Sequence, residues 1–280
     1  MTTRRIVLLA AGALIALSQP ASATEDKALK AAVAGAQRSA PHVARDPARH
    51  PDETLSFWGV KPKQTIIEIS PGSGYWTEIL APYAKATGGT YVAGVADLAN
   101  PKMSDAGRKG RADFEAKYAD QAKFGKIVYV GFGAVSGPLG APGSADMVIT
   151  ARNIHNWMWT EGMLDKSMKD FATVLKKGGV LAVEEHRADP TRDQIADARD
   201  GYVATANVIA AAEKAGFKLA AKSEVNANPK DTKDHPFGVW TLPPSRWTVQ
   251  GGRSEDPAFD RAKYDAIGES DRMTLRFVKN

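Results

Sequence analysis

Apolar and polar stretches alternate along most of the chain after residue 60. Seven short apolar runs are separated by longer segments, several of which carry apolar residues at helical spacing. This alternation is typical of βαβ units, in which helices cover both faces of a mostly parallel sheet. The pattern therefore predicts an α/β fold with a doubly wound sheet. The predicted strands are "TIIEIS", "GTYVAGV", "KIVYV", "ADMVIT", "GVLAVEEH", "FKLAAKSEV" and "DRMTLRFVK".

Three other stretches complete the predicted organisation. Residues 24–60 begin with a helical pattern and continue through turn-forming prolines, which predicts an N-terminal helical cap on a main domain of residues 61–280. The stretch "QIADARDGYVATANVIAAAEKAG" predicts one long helix over residues 194–216. Residues 225–248 are long for a connection and rich in Pro, Asn, Asp and Trp, which is typical of a packed lid.

Residues 1–23 have the pattern of an export signal. Arg4 and Arg5 precede the apolar run "IVLLAAGALIALS", and small residues at 21–23 form a cleavage site. The apolar run is shorter than the roughly 20 residues that cross a bilayer, so release is favoured over a stable membrane anchor. The Thr3-Arg4-Arg5 start also resembles a twin-arginine signal, which would export a folded protein.

Composition narrows the chemistry. A chain of 280 residues that is 43% hydrophobic can bury a sizeable core as one domain. It contains no cysteine, which excludes disulfides, thiolate metal sites and cysteine nucleophiles. The net charge is +5, and cleavage of the signal would remove Arg4 and Arg5 from it. A charge of this size is too small to indicate nucleic acid as a partner.

A glycine-rich turn follows the first predicted strand. Glu68 ends that strand, residues 70–74 read Ser-Pro-Gly-Ser-Gly, and a helix follows directly. A turn of this kind brings backbone N–H groups and a helix N-terminus to the carboxyl edge of the sheet, where nucleotides or nucleosides bind. A dinucleotide site requires Gly or Ala where this chain has Thr77, so NAD is disfavoured.

These residues resemble the class I S-adenosylmethionine-dependent methyltransferases. The first motif of that family is an acidic residue, one further residue and then Gly-x-Gly-x-Gly, matched here by Glu68, Ser70, Gly72 and Gly74, with Ser in place of the first Gly. The strings "ARDPARHPDETLSFWGVKP", "EISPGSGYWTEILAPY", "ARNIHNW" and "AIGESDRMTLRFVK" resemble, more narrowly, exported predicted methyltransferases of Gram-negative bacteria.

The resemblance implies a Rossmann-like, mostly parallel seven-stranded sheet with an antiparallel last strand over residues 61–280, and a periplasmic location. It implies S-adenosylmethionine as the cofactor and an acid after the second strand as the ribose ligand. Asp97 is the candidate for that acid, one residue later than in the family because Ala96 precedes it. The predicted cofactor-binding residues are Glu68, Ser70, Gly72, Ser73, Gly74, Tyr75, Asp97 and Arg152.

Candidate catalytic residues follow the fourth and fifth strands. In the doubly wound order the fourth strand lies beside the first, so residues 152–159 should face the glycine turn. His155 is the candidate general base and Asn153 the candidate for orienting the acceptor. His186 ends the fifth strand behind two glutamates, which could orient or activate an imidazole. A structural histidine bonded to the backbone is the alternative for His155.

A metal site and an aromatic wall are two other kinds of site that this part of the chain could form. The histidines and acids at positions 155, 184–186 and 231–235 lack the close spacing of metal ligands, so no metal is predicted. Trp76, Trp157 and Trp159 are candidates for an aromatic wall beside a sulfonium, with simple packing as the alternative.

The sequence thus predicts methyl transfer to an unknown small-molecule or protein acceptor. The alternative is a non-catalytic binding protein on the same fold, with a small adenosine-like or polar ligand.

Overall fold

The computed structural model describes residues 26–191 and 198–280. The predicted export signal of residues 1–23 lies outside the described residues. Among the described residues, no helix combines the length and apolar character needed to cross a bilayer.

The described residues form one seven-stranded sheet in the order β3-β2-β1-β4-β5-β7-β6. Its strands run parallel except β7, which is antiparallel to both of its neighbours. The predicted fold class is confirmed, including the antiparallel last strand. The strands are β1 (Thr65–Ile69), β2 (Thr90–Ala96), β3 (Ile127–Phe132), β4 (Ala145–Ala151), β5 (Leu175–His186), β6 (Phe217–Ser223) and β7 (Arg272–Lys279).

Helices cover both faces of this sheet and form the N-terminal cap. Side-chain caps begin several of them: the Asp26 carboxylate accepts from the N–H groups of Ala28 and Leu29, and the Ser104 hydroxyl accepts from the N–H of Gly107. The helices are α1 (Lys27–Val33), α2 (Ala40–Val43), α3 (Asp46–Arg49), α4 (Pro51–Trp58), α5 (Thr77–Thr87), α6 (Asp105–Lys117), α7 (Gln121–Phe124), α8 (Ile154–Met158), α9 (Met163–Val174), α10 (Thr205–Lys214) and α11 (Arg261–Asp265).

The core has one layer on each face of the sheet. Strand β1 is buried on both faces, since Ile66 packs in one layer and Ile67 in the other. This is why its sequence is a nearly continuous apolar run rather than an alternating one. The cap belongs to the layer of Ile66, where Leu55 and Trp58 are fully buried.

The switch point of the sheet lies between β1 and β4. The chain builds β1, β2 and β3 outward in one direction and then returns to place β4 on the other side of β1. The segments that follow β1 and β4 therefore diverge from neighbouring strand ends, which opens a crevice at the carboxyl edge.

The prediction of one helix over residues 194–216 is wrong in part. Helix α10 begins only at Thr205, and residues 192–197 lie outside the described residues. Gly201 has a φ of +85°, and Val203 makes a bridge with Arg187 at the end of β5. Tertiary pairing with β5 thus overrides the helical pattern of the sequence before residue 205.

The two glycines of the turn after β1 should respond differently to alanine. A Cβ on Gly74 (φ +91°) would overlap the buried Tyr118 hydroxyl, whereas one on Gly72 (φ +60°) would meet no atom within 4 Å. Gly74→Ala should cost about 2 to 4 kcal/mol through strain and overpacking, and Gly72→Ala only about 1 kcal/mol. Urea unfolding of both variants measures the difference, and equal losses would contradict the packing at Gly74.

Candidate functional site

The turn after β1 is held from below by helix α6. Ser70, Gly72 and Gly74 all have positive φ, and the N–H of Ser70 donates to the Gly94 carbonyl at 2.7 Å. The Tyr118 hydroxyl donates to the carbonyl of Ser73 at 2.9 Å. Because a Cβ on Gly72 would meet nothing, the upper side of the turn is open for a ligand.

Glu68 is buried beneath this turn. Its carboxylate accepts hydrogen bonds from the hydroxyls of Thr77, at 2.9 Å, and Tyr91, at 2.5 Å. Burial raises the pKa of Glu68 to about 7, although both hydrogen bonds act to lower it. In the sequence, Thr77 served only to disfavour a dinucleotide site. In the structure, its hydroxyl donates a hydrogen bond to Glu68, the acidic residue of the motif.

The N-terminal cap closes over one side of the turn. The imidazole of His42 lies 3.0 Å from the Ser73 hydroxyl and 2.9 Å from the Glu78 carboxylate. The Tyr75 hydroxyl donates to Asp46 at 2.7 Å, and the Arg49 guanidinium lies over the Tyr75 ring at 4.4 Å. Sequence reasoning gave none of these cap residues a role in the site.

The segment after β4 faces the turn, as predicted. The Asn153 side-chain amide donates to the Ile69 carbonyl at 2.9 Å and to the Thr150 hydroxyl at 3.2 Å. Asn153 thus ties the end of β4 to the end of β1, leaving its amide oxygen as a free acceptor among the described residues. Arg152, just before it, has a φ of +60°.

His155 and Glu185 form a buried pair at this edge. Nδ1 of His155 lies 3.0 Å from Oε1 of Glu185, and Oε2 of Glu185 accepts from the N–H of Ile154 at 2.6 Å. Since a carboxylate can only accept, Nδ1 carries the hydrogen and Nε2 keeps its lone pair. Glu185 thus orients the imidazole of His155, whereas the sequence placed the two glutamates beside His186.

His186 lies beside this pair with a different partner. Its ring centroid is 5.5 Å from that of His155, and its Nδ1 lies 2.5 Å from the Ser270 hydroxyl. Burial, His155 and the nearby arginines lower the pKa of His186 well below its usual value. His186 is therefore neutral at physiological pH.

The turn after β1, the segment after β4 and the end of β5 line one cavity of about 250 Å³ at the carboxyl edge of the sheet. Residues from the predicted lid form its outer wall, namely Trp240, Pro243 and Pro244. The cavity brings together most of the predicted site residues: Glu68, Ser70, Gly72, Ser73, Tyr75, Arg152, Asn153, His155 and His186.

Gly74 and Asp97 do not line this cavity. Gly74 lies at the base of the turn against Tyr118. Asp97 follows β2, and its carboxylate accepts the N–H of Ala99 at 3.0 Å in a local turn. The one-residue offset from the family pattern thus leaves Asp97 on the half-buried rim beside β2.

The tryptophans of the predicted aromatic wall take separate positions. Trp76 lines the cavity, whereas Trp157 packs in the core against Phe132 and Phe171. Trp159 lies against His155 and against Trp240 of the lid. Trp240, which sequence reasoning assigned only to the lid, therefore supplies the second indole of the cavity.

A largely buried cluster of arginines and glutamates borders the cavity, and Arg49 and Glu269 line it. Glu184 lies 3.0 Å from Arg272 and 3.7 Å from Arg49, and Glu269 lies 2.8 Å from Arg272 and 2.6 Å from Arg45. Burial alone would raise the pKa values of both glutamates, but the arginines hold them below their usual range. The cluster joins the cap to β5 and to the residues that precede β7.

His155, Glu185 and His186 also form a group that could hold a metal ion among the described residues, with ligand atoms within 4.8 Å of one another. Both Glu185 oxygens, however, already accept N–H groups, from Ile154 and from His186. The arginines that lower the pKa of His186 would also repel a cation. The arrangement therefore favours an oriented base over a metal centre.

No family model matches the sequence, and no curated protein matches it. Among solved structures, the [4+2]-cyclase SpnF is 15% identical in sequence and has a TM-score of 0.53. The match covers 90% of this chain and 91% of the SpnF chain. A second match is a chain from the complex of the Haloferax volcanii Trm112 methyltransferase activator with its proposed methyltransferase. It is 14% identical, has a TM-score of 0.50, and the match covers 85% of this chain and 92% of that chain.

These likenesses and the strand order identify the class I methyltransferase fold. Because SpnF is described as a cyclase, the fold by itself does not determine the reaction.

The buried carboxyl of Glu68 should make stability depend on pH. Its folded pKa of about 7 lies above its ordinary value of 4.5, so its stabilising contribution is complete below pH 4.5 and is lost as pH rises through 7. The loss should approach about 3 kcal/mol by pH 8 and be absent in Glu68→Gln. Urea unfolding of both proteins from pH 5 to 8 tests this, and parallel profiles would contradict it.

The tautomer of His155 should be visible by nuclear magnetic resonance. Long-range ¹H–¹⁵N spectra at neutral pH should show His155 protonated at Nδ1, with its signal assigned from its loss in His155→Gln. Glu185→Gln should remove this preference, because an amide can donate as well as accept. Protonation of His155 at Nε2 alone in the wild type would rule out the proposed pairing.

Proposed function

We propose that this protein is a class I methyltransferase that transfers a methyl group from S-adenosylmethionine to a small acceptor in the periplasm. One observation carries the proposal: an oriented imidazole, His155 on Glu185, lies in the same cavity as the open turn of Ser70 and Gly72. A ligand site and a proton acceptor thus face each other across the switch point of the sheet.

The residues at the turn fit the cofactor. The open side of Gly72 permits close approach of a ligand to the backbone, and Ser70 and Ser73 add hydroxyls at the cavity wall. Tyr75 and Gly74 fix the turn, and Glu68 anchors it from below. Asp97 would meet the ribose only at the outer rim. When bound, S-adenosylmethionine supplies a methyl group made electrophilic by its sulfonium.

The protein's own groups would prepare the acceptor. Nε2 of His155 takes the proton from the acceptor's oxygen or nitrogen, and the Glu185 carboxylate stabilises the imidazolium that forms. The free oxygen of Asn153 and the neutral ring of His186 can hold the acceptor in line with the methyl group. Positioning of this kind is the main contribution a protein makes to such a transfer.

Two features favour a small acceptor outside the cytoplasm. Trp240, Pro243 and Pro244 narrow the cavity, which measures about 250 Å³ and leaves little room for a large acceptor beside a bound cofactor. A protein side chain would have to enter past this lid. The signal pattern of residues 1–23 supports the periplasm as the location.

A non-catalytic binding protein is the second candidate. The position of Asp97 favours it, because the acid expected at the ribose does not line the cavity and instead caps a local turn. In that case the same cavity would bind a small polar ligand without transferring a group.

Calorimetric titration with S-adenosylmethionine and with S-adenosylhomocysteine tests the cofactor. We expect micromolar binding, about −8 kcal/mol, to the wild type. Gly72→Val should abolish it by filling the open side of the turn. Gly88→Val is the matched control, since Gly88 has a φ of +73° and open space around its Cβ but does not line the cavity.

Wild-type protein that is folded and binds neither compound would overturn the methyl-transfer proposal in favour of the second candidate. An equal loss of binding in the Gly72→Val and Gly88→Val variants would instead show that the turn after β1 is not the binding site.

A further inference from the structure

Arg152 occupies a strained position at the cavity wall. Its φ is +60°, a region that side chains rarely adopt, and its N–H donates to the Glu184 carbonyl at 2.7 Å, which fixes the backbone. A glycine would relieve the strain but would lose the guanidinium. Strain that persists at a cavity wall is the kind that accompanies a functional side chain.

The guanidinium of Arg152 has no protein partner in the described parts of the chain. No hydrogen bond or ion pair engages it among residues 26–191 and 198–280, and its Nε is buried without a partner. By contrast, Arg45, Arg49 and Arg272 each lie within ion-pair distance of Glu184 or Glu269. A guanidinium that is partly withdrawn from water without a counter-charge is costly unless a ligand supplies one.

Arg49 adds a second incomplete donor. It is fully buried and lines the cavity, with Nε 3.4 Å from Glu269 and Nη2 3.7 Å from Glu184. Its Nη1 has no hydrogen-bond partner among the described residues. The two carboxylates that face it are shared with Arg45 and Arg272, so they do not satisfy every arginine of the cluster.

The other acids near the cavity are already engaged. Glu185 accepts from His155 and from the N–H groups of Ile154 and His186, and Glu68 accepts from two hydroxyls beneath the turn. Neither carboxylate is available to Arg152, whose pKa is lowered to about 9 by burial and by Arg49 and Arg45, against the opposing effect of Glu184 and Glu269. Those two glutamates are already within ion-pair distance of Arg45, Arg49 and Arg272, so positive charge is in excess on the Arg152 side of the cavity among the described residues.

We propose that the cavity binds a small molecule through a carboxylate or phosphate group held by Arg152 with Arg49, and that this molecule is the methyl acceptor. The identification of the ligand as acceptor rests on the function proposed above. The guanidinium fork suits the planar oxygens of either anion. The anion would lie at the Arg152 end of the cavity, and the nucleophile at the His155 end.

Titration with two simple anions tests this inference. Acetate and inorganic phosphate are added to ¹⁵N-arginine-labelled wild-type protein, with and without saturating S-adenosylhomocysteine, and the arginine Nε–H signals are followed. We expect both anions to shift the Arg152 signal whether or not S-adenosylhomocysteine is present. A preference between them distinguishes a carboxylate from a phosphate ligand.

Three variants test the assignment to Arg152. Because hydrogen bonds to charged groups are strong, Arg152→Gln should weaken anion binding at least about tenfold, whereas Arg152→Lys should retain most of it. Arg246→Gln is the control: Arg246 pairs with Asp265 on the surface, and its removal should leave binding unchanged. These affinities are measured by isothermal titration calorimetry, which does not need the Arg152 signal.

The outcomes separate this inference from the cofactor proposal. Anion binding that occurs only without S-adenosylhomocysteine would show that Arg152 holds the cofactor's own carboxylate, and would overturn the assignment to the acceptor. No anion binding, or equal loss in the Arg246→Gln and Arg152→Gln variants, would overturn the site itself. Arg152-dependent anion binding in a protein that ignores S-adenosylhomocysteine would support the anion site while rejecting methyl transfer.

Discussion

The buried pairing of Arg49 with Glu184 and Glu269 is the interaction on which the candidate site depends. Arg49 ends a helix of the cap, Glu184 lies in β5, and Glu269 precedes β7. Breaking such a pair by removing one partner commonly costs about 3 to 5 kcal/mol, because the remaining charge stays buried. The cluster therefore fixes the cap against the sheet edge, which in turn holds Tyr75 and closes one wall of the cavity.

The charges of this cluster also determine whether the cavity favours a metal ion or a catalytic base. Three buried groups, His155, Glu185 and His186, have the composition of a metal site, but they lie in the field of several arginines. That field keeps His186 neutral and disfavours any added cation. It favours an imidazole that works as a base and a ligand that brings negative charge.

Much of the fold and part of the site could be predicted from the sequence. The seven apolar runs correspond to the seven strands, and the adjacency of β4 and β1 places His155 opposite the glycine turn, as the doubly wound order requires. These features follow from local patterns and from a topology with few alternatives. The residues immediately beside the motif were therefore the most predictable part of the site.

The rest depends on contacts between distant parts of the chain. Neither the role of Arg49 nor the choice of Glu185 over Glu184 as the partner of His155 follows from spacing alone. The wall formed by Trp240 and the late start of α10 are set by packing of the lid and by pairing with β5. The sequence shows that Asp97 comes one residue later than the acid of the family pattern. It does not show where that shift places the carboxylate.

The cavity takes its walls from both ends of the described chain. Arg45 and Glu269, which help to join these walls, are 224 positions apart in sequence. No partly synthesised or partly unfolded chain can therefore assemble this cavity. A chain that crosses a membrane as an extended thread would have to find its ligand on the far side, and only a chain that crosses folded could carry one with it. If the protein is exported as proposed, its route of transport and the supply of its ligand are therefore coupled by the architecture of a single cavity.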